Sequence, residues 1–138
     1  MKYVIDSCTA FKWFLTEQES DEARVLRDSF RSQLTDLIAP DAFPIEIVHA
    51  ITRAERQKRI TPQEGAELVE DLFQILPTLY PSLPLLPRAY ELSSQVRIGV
   101  YDCLYVALAE REGCSLVTTD QRLITNLPHS PIVSLDSV

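Results

Sequence analysis

The sequence predicts an α/β fold in which a central, mainly parallel sheet is covered by helices on both faces. Short apolar runs rich in β-branched residues alternate along the chain with longer segments of helical periodicity. The 138 residues suffice for one such unit, whose core needs neither disulfides nor a structural metal. No internal repeat, low-complexity tract or Gly/Ser linker divides the chain. We therefore expect parallel strands joined by right-handed helical crossovers.

The first part of the chain predicts one strand and two helices. Residues 2–5 form a short apolar run that ends at Asp6, and its length and β-branched content predict a buried strand. A short helix is expected over residues 10–15. A longer helix is expected from Ser20, as its N-cap, because apolar residues follow it at helical spacing. These residues are Ala23, Leu26, Phe30 and Leu34.

The middle of the chain predicts a strand and two further helices. Residues 37–39 are a brief apolar run ended by Pro40, which predicts a second strand. A helix is expected to begin within residues 41–44. The apolar face expected on it consists of Ile45, Val48, Ile51 and Ala54. Residues 61–64 are a capping box with proline at the first helical position, so another helix starts there. Its expected apolar stripe consists of Ala66, Val69, Phe73 and Leu76.

The rest of the chain predicts two helices, a strand, a helical turn and a final strand. Prolines within residues 77–87 exclude a helix there and leave room for a short strand at residues 83–86. Gly113 is expected to be the C-cap of the second helix. The expected elements are helices at residues 87–97 and 102–112, a strand at 114–118, a helical turn up to Leu127 and a strand at 132–133.

Charge and cysteine content exclude several classes of protein. Thirteen basic residues stand against 20 acidic ones, and the net charge of −7 excludes general coating of nucleic acids. A local acidic site beside a small basic patch remains compatible with this net charge. The chain has three cysteines, Cys8, Cys103 and Cys114. Because their number is odd and none are spaced as CxxC, neither a disulfide framework nor a zinc site is expected. Without a secretory signal or a membrane-spanning stretch, the chain is predicted to be soluble and cytoplasmic.

Four acidic residues are predicted to meet at the edge where the strands end. They are Asp6, Glu46, Asp102 and Asp120. Taken singly, each is equally well explained as a helix cap or a first-turn residue. Together, two carboxylates about 4 Å apart would repel by roughly 4 kcal/mol at an effective dielectric near 20. A hard divalent cation, Mg²⁺ or Mn²⁺, is the expected counter-charge, since no His or Cys cluster competes for a softer metal.

Five segments stand out by their order and spacing: Val4-Ile5-Asp6, Lys12-Trp13-Phe14, Glu46, residues 101–109 and Val117-Thr118-Thr119-Asp120. In these segments the chain resembles PIN-domain ribonucleases, above all the VapC-type toxins of bacterial and archaeal toxin-antitoxin pairs. The segments around Asp6 and Asp102 are the most specific parts of this resemblance, which spans nearly the whole chain. It implies a single PIN domain over residues 1–138, folded as a three-layer α/β/α sandwich.

The resemblance also implies an activity and partners. A Mg²⁺-dependent endoribonuclease is expected, in which one or two Mg²⁺ or Mn²⁺ ions activate water to hydrolyse RNA phosphodiester bonds. The implied catalytic residues and metal ligands are Asp6, Glu46, Asp102 and Asp120. A cognate VapB-type antitoxin and a homodimer are expected as partners.

Neighbouring residues have supporting roles in this interpretation. Cys8 stands where many relatives carry Ser, so Thr9 or Ser7 is expected to supply the hydroxyl. Thr118 is expected to brace Asp120. A chain of net negative charge needs local cations to bind RNA phosphates. The expected RNA contacts are Lys12, Arg53 and Arg56, and for the arginines a solvated position at a helix C-terminus is the alternative.

Other classes of protein with acids at strand ends fit less well. A phosphoacceptor receiver domain needs a lysine after a late strand, but the lysines are Lys2, Lys12 and Lys58 only. A haloacid-dehalogenase-like phosphatase needs an Asp two residues after its nucleophile, where this chain has Cys8. Two alternatives remain: a catalytically silent PIN-like module that binds RNA or protein, and a PIN nuclease of RNA processing.

Overall fold

The computed structural model describes residues 1–138, and its centre is a sheet of five parallel strands. The strands are β1 (Lys2–Ile5), β2 (Asp36–Pro40), β3 (Thr78–Tyr80), β4 (Ser115–Thr118) and β5 (Ile132–Ser134). Their order across the sheet is β3-β2-β1-β4-β5. The chain builds outward from β1 to β3, returns across the sheet, and builds outward again through β4 and β5. The winding direction therefore changes between β1 and β4, where open parallel sheets have their ligand crevice.

Seven helices enclose this sheet. They are α1 (Ser7–Phe11), α2 (Ser20–Arg31), α3 (Phe43–Arg56), α4 (Pro62–Gln74), α5 (Leu86–Val96), α6 (Val100–Glu112) and α7 (Gln121–Asn126). Helix α6 packs on α5 and on strands β1, β2 and β4, whereas α1 and α4 both pack on α3. Right-handed crossovers place the helices before and after the return on opposite faces. The predicted three-layer α/β/α sandwich is confirmed. No helix combines the length and the hydropathy needed to cross a membrane.

Helix α6 is the most deeply buried helix of the fold. All seven of its residues from 103 to 109 are buried, because the sequence CLYVALA is apolar on every side. Asp102 lies in its first turn, and Gly113 ends it in a left-handed conformation with φ of 66°, as the predicted C-cap. The core packing of α6 therefore determines where the Asp102 side chain emerges.

The strands predicted near residues 2–5, 37–39, 114–118 and 132–133 are confirmed to within about two residues, but the strand predicted at residues 83–86 is wrong. The third strand lies earlier, at Thr78–Tyr80, where it pairs with β2. Leu83–Leu85 instead forms a 3₁₀ turn that leads into α5. Pro84 inside the predicted strand has no N–H to donate to a ladder, whereas Thr78–Tyr80 contains no proline.

Two predicted helix starts also need correction. Helix α1 begins at Ser7 rather than at residue 10, because Asp6 is its N-cap. Helix α2 begins at Ser20, but the N-cap position belongs to Glu19, whose φ is 67°. The Ser20 hydroxyl instead accepts the N–H of Glu17 at 2.8 Å, so it holds the loop before α2.

The buried faces of α3 and α4 are rotated relative to the prediction. Ile45 is 71% exposed and Phe73 is 65% exposed, although both were expected to face the core. Ile51 and Ala54 are buried as predicted, and Phe43 and Ile47 complete the buried face of α3. On α4 the buried residues are Gly65 and Leu72. The capping box at Thr61 is confirmed, with both of its hydrogen bonds present. Apolar residues at neighbouring positions allow more than one helical phase, and packing between helices selects one.

Candidate active site

The site lies at the carboxyl ends of β1 and β4, the neighbouring strands at the change in winding direction. Asp6 directly follows β1, and Thr118 is the last residue of β4. Parallel pairing aligns Ile5 with Val117, so the next residues of both strands lie side by side. The Thr118 hydroxyl accordingly donates a hydrogen bond to the Asp6 carboxylate. Sheet register brings these two side chains together across 112 positions of sequence.

Asp6 is the most buried acid of the site, with 5% of the residue exposed. Its carboxylate accepts hydrogen bonds from two uncharged donors, the Thr118 hydroxyl and the Thr9 N–H, the latter at 2.9 Å. Burial raises the pKa of Asp6 above its ordinary value, these hydrogen bonds lower it in part, and the charge of Asp102 raises it further. These two donors thus orient the Asp6 carboxylate, but neither carries a positive charge that would neutralise it.

Two buried threonine hydroxyls brace the turn that follows β4. Thr118 Oγ1 accepts the N–H of Asp120 at 3.0 Å while its hydroxyl donates to Asp6. Thr9 Oγ1 accepts the N–H of Thr119 at 3.1 Å. The turn that carries Asp120 is therefore tied both to Asp6 and to helix α1.

Glu46 reaches the site from the first turn of α3. Its Oε1 atom accepts a hydrogen bond from the Tyr105 hydroxyl of α6. Burial raises the pKa of Glu46, and the negative charges of Asp102 and Asp6 raise it further. Hydrogen bonding by Tyr105 and Ser7 acts in the opposite direction. Glu46, like Asp6, is therefore held by uncharged donors within range of other acids.

Sequence reasoning did not single out Tyr105 as a site residue. It lies three residues after Asp102, inside the buried apolar run of α6. The available signal was its hydroxyl, the only polar side-chain group among residues 104–109. A buried tyrosine hydroxyl needs a hydrogen-bond partner, and here that partner is Glu46.

Asp102 and Asp120 share one arginine. Asp120 is the N-cap of α7 and accepts the N–H of Arg122 at 2.9 Å. Arg122 Nη2 lies 2.9 Å from Asp120 Oδ2 and 3.4 Å from Asp102 Oδ2. Hydrogen bonding to Arg122 lowers the pKa of Asp120. Burial and the charge of Asp120 raise the pKa of Asp102, against the opposing charge of Arg122. Sequence reasoning missed Arg122, and the available signal was its position two residues after a predicted ligand.

The chemistry of this donor set fits a hard divalent cation. All four predicted acids are carboxylates that act on one another, because Asp102 raises the pKa of both Asp6 and Glu46, and Asp120 raises that of Asp102. Oxygen ligands of this kind are those that Mg²⁺ and Mn²⁺ prefer. No three Asp, Glu, His or Cys side chains stand close enough together to hold a metal ion as they are placed. The structure thus brings the four acids near enough for their charges to act on one another, while no three of them stand together as a ready metal site.

A groove of about 450 Å³ opens beside the acids and follows one face of α3. Its charged lining residues are Glu46, near Ser7 and Cys8, and Arg53, Arg59 and Glu17, of which the last two form an ion pair at 3.4 Å. Desolvation and the nearby charge of Asp6 raise the pKa of the Cys8 thiol, which favours its neutral form. The groove therefore connects Glu46 to Arg53, two turns further along the same helix.

The three residues predicted to contact RNA, Lys12, Arg53 and Arg56, differ from one another in their surroundings. Lys12 Nζ donates to the carbonyl of Gln18 at 2.8 Å and lies 3.9 Å from Glu17 Oε1, with 11% of its side chain exposed. Arg53 lines the groove, and Arg56 is exposed in the last turn of α3. Neither arginine takes part in an ion pair. The fold therefore ties Lys12 into the loop after α1 and leaves Arg53 available beside the acids.

Sequence comparisons link this chain to annotated ribonucleases. The family model described as the PIN domain matches residues 3–127. Ribonuclease VapC12 of Mycobacterium tuberculosis is 34% identical over 97 residues, which cover 70% of this chain and 74% of that relative. Ribonuclease VapC3 of Pyrobaculum aerophilum is 27% identical over 130 residues, which cover 93% of this chain and 96% of that relative.

Two solved structures share the fold. The crystal structure of PAE2754 from Pyrobaculum aerophilum superposes with a TM-score of 0.70 at 18% identity, covering 99% of this chain and 94% of that chain. The crystal structure of VapBC2 from Rickettsia felis, bound to a DNA fragment from their promoter, superposes with a TM-score of 0.66 at 13% identity. That match covers 97% of this chain and 98% of the other.

Proposed function

Because this chain belongs to the PIN-domain family, among its VapC-type toxins, we propose that it is a Mg²⁺-dependent endoribonuclease that hydrolyses RNA phosphodiester bonds. The observation that supports the proposal is that four carboxylates on four different segments stand at one edge of the sheet, within range of one another's charges. These carboxylates are Asp6 after β1, Glu46 on α3, Asp102 on α6 and Asp120 after β4. Their mutual repulsion is a cost in the folded protein that a bound cation offsets.

The residues that would hold the metal are these four acids, with Asp6 and Asp102 as direct ligands. When bound, a divalent ion lowers the pKa of a water molecule and offsets the charge that develops on the phosphate during hydrolysis. The chain itself supplies orientation. Thr118 and the Thr9 N–H hold Asp6, and Tyr105 holds Glu46, through donors that leave the carboxylate charges available.

The groove along α3 supports a path for the RNA backbone. A net charge of −7 confines phosphate binding to local cations, and Arg53 lies in the groove that begins at Glu46. Arg56, one turn further along the same helix, extends that basic edge. An RNA strand that follows α3 would meet these guanidinium groups on one side of the bond to be cleaved and the acids at that bond.

The partners follow from the family and not from this chain alone. The similar structure from Rickettsia felis is of VapBC2, so a VapB-type antitoxin is the partner we propose for this chain. The three cysteines are free, which fits the reducing cytoplasm where RNA and an antitoxin would be encountered. The homodimer stays a prediction, which sedimentation of the purified protein tests.

Cleavage of end-labelled structured RNA tests the proposed activity. The natural chain, freed of antitoxin, is incubated with Mg²⁺, with Mn²⁺ or with EDTA. Beside it are run Asp102→Asn and a control, Asp71→Asn, which removes an exposed carboxylate of α4, a helix that carries none of the four site acids. We expect metal-dependent cleavage by the natural chain and by Asp71→Asn, and its loss in Asp102→Asn.

Two outcomes would contradict the proposal. Equal cleavage by Asp102→Asn would show that another protein or another site cuts the RNA. A folded protein that neither cleaves varied RNAs nor binds Mn²⁺ in calorimetry would instead be the silent PIN-like module.

A further inference from the structure

Arg122 is the only cation that contacts the acid cluster. Its guanidinium reaches back from the first turn of α7, and a single nitrogen, Nη2, lies 2.9 Å from Asp120 Oδ2 and 3.4 Å from Asp102 Oδ2. Its Nε atom also lies 3.3 Å from Asp120 Oδ1. The side chain nevertheless remains 66% exposed to solvent. One positive charge thus occupies the position between two carboxylates that are expected to share a metal ion.

We propose that Arg122 is a built-in counter-cation of Asp102 and Asp120, which has to withdraw from them when a divalent ion binds and which thereby weakens metal binding. This inference rests on the proposed metal-dependent activity. It assigns to Arg122 a role that neither the sequence pattern nor the family resemblance assigns to it. Arg122 is a positioning residue in this proposal, because it acts through the two carboxylates and not on RNA.

The contacts of Arg122 make such a withdrawal feasible. Ion pairs between exposed groups are weak, because water competes for both partners and the long side chain loses conformational freedom. A guanidinium that is two-thirds exposed can therefore leave at small cost and remain hydrated. The donors to the other two acids, the Thr118 hydroxyl and the Tyr105 hydroxyl, belong to buried residues and have no such freedom.

Electrostatics gives the direction of the effect. Without a metal, Arg122 offsets part of the repulsion between Asp102 and Asp120, so it stabilises the metal-free protein. In the presence of a divalent ion, the same positive charge competes for the same two carboxylates and repels the ion. A neutral residue at this position should therefore destabilise the metal-free protein and tighten metal binding.

Titration with Mn²⁺ in the absence of RNA tests this inference by calorimetry and by electron paramagnetic resonance. The variants are Arg122→Gln, which removes the charge, and Arg122→Lys, which keeps it. The matched control is Arg24→Gln, which removes one positive charge from an exposed pair with Asp21 on α2. We expect Arg122→Gln to bind Mn²⁺ about fivefold more tightly or better, since it removes two partly exposed ion pairs from competition. Arg122→Lys and Arg24→Gln should stay within about twofold of the natural chain.

Thermal unfolding gives a second readout that does not depend on activity. In EDTA, Arg122→Gln should unfold at a lower temperature than the natural chain, and saturating Mn²⁺ should remove that difference. If the natural chain binds Mn²⁺ and Arg122→Gln binds it equally or more weakly, the inference is wrong while the proposed function stands. If neither protein binds Mn²⁺ and neither cleaves RNA, the proposed function fails and the inference fails with it.

Discussion

The four acids of the site form two pairs that the fold holds in different ways. The inner acids, Asp6 and Glu46, accept hydrogen bonds from the hydroxyls of Thr118 and Tyr105. The outer acids, Asp102 and Asp120, accept hydrogen bonds from the guanidinium of Arg122. Neutral donors orient a carboxylate and leave its charge in place, whereas a cation compensates the charge as well.

This difference explains how an acidic site can exist in a folded protein before it meets a metal. The outer acids reduce their repulsion by sharing an exposed arginine, which is easily displaced. The inner acids keep raised pKa values because burial is not compensated by any cation. The inner acids therefore supply the attraction for a divalent ion, and the outer acids supply ligands whose charge is screened until the ion arrives.

Substitution Asp6→Asn should break the site most completely. Asn is nearly isosteric, so it can still accept the Thr9 N–H, but it removes the most buried negative charge of the cluster. We expect RNA cleavage to fall by at least about 100-fold, beyond the loss typical of a residue that only supports a ligand. Cleavage rates under single-turnover conditions measure this effect, and circular dichroism checks that the variant is folded. Activity close to that of the natural chain would exclude Asp6 as a metal ligand.

Substitution Thr118→Val should show what orienting the Asp6 carboxylate contributes, because it leaves the charge of that carboxylate unchanged. Valine keeps the shape of threonine but removes the donor to Asp6 and the acceptor for the Asp120 N–H. We expect the free energy of unfolding to fall by about 1–3 kcal/mol, because buried partners are left unsatisfied. Urea unfolding in EDTA measures this loss, and Thr118→Ser, which keeps the hydroxyl, should recover most of it. An unchanged stability in Thr118→Val would show that this hydroxyl does not brace the turn.

Substitution Tyr105→Phe should act on the other inner acid. The variant loses only the hydroxyl that donates to Glu46, so the pKa of Glu46 should rise further above its ordinary value. We expect a loss of about 1 kcal/mol in stability and a shift of the acidic limb of the cleavage profile to higher pH. Carboxyl carbon NMR of Glu46 follows its titration directly. If the pKa of Glu46 were the same in Tyr105→Phe as in the natural chain, the hydrogen bond from Tyr105 to Glu46 would be contradicted.

The pH dependence of stability should distinguish Asp6 from Asp120 by sign, and these are the smallest effects expected. The folded protein holds the Asp6 proton more tightly than the unfolded chain does, so stability falls as the pH rises from the ordinary pKa of Asp to the raised pKa of Asp6, and the whole cost is present above the raised pKa. Relative to the natural chain, Asp6→Asn should gain stability at pH 7, and the gain should vanish below the ordinary pKa of Asp, about 3.9.

Asp120 should behave in the opposite way. Its pKa is lowered in the folded protein, so ionised Asp120 contributes stability above its ordinary pKa, and that contribution is lost as the pH falls through the lowered value. Asp120→Asn should therefore lose stability at pH 7, by less than about 1 kcal/mol for a partly exposed pair, while Asn still caps α7. Urea unfolding in EDTA at several pH values checks both variants, and a change of the same sign in both would contradict the different electrostatic settings assigned to Asp6 and Asp120.

Much of the fold could be predicted because it depends on local pattern. The strand before Asp6 and the helix after Thr61 are each specified by residues within a few positions, and both are confirmed. The strand predicted at residues 83–86 failed because a proline-rich segment admits several extended or turning conformations. The prediction that Ile45 and Phe73 face the core is wrong. Helical periodicity is ambiguous where apolar residues stand next to one another, and only packing decides which of them are buried.

The site shows the same division between local and tertiary information. The identities of Asp6, Glu46, Asp102 and Asp120 followed from their positions at strand ends and helix starts and from the family resemblance. The sequence alone therefore determined the fold class, the charge of the site and its candidate ligands. The tertiary structure decided which carboxylate is held by a hydroxyl and which by Arg122, and it tied Lys12 into a loop. The physical reason is that such contacts join residues far apart in sequence, so they exist only once sheet register and helix packing have brought those residues together.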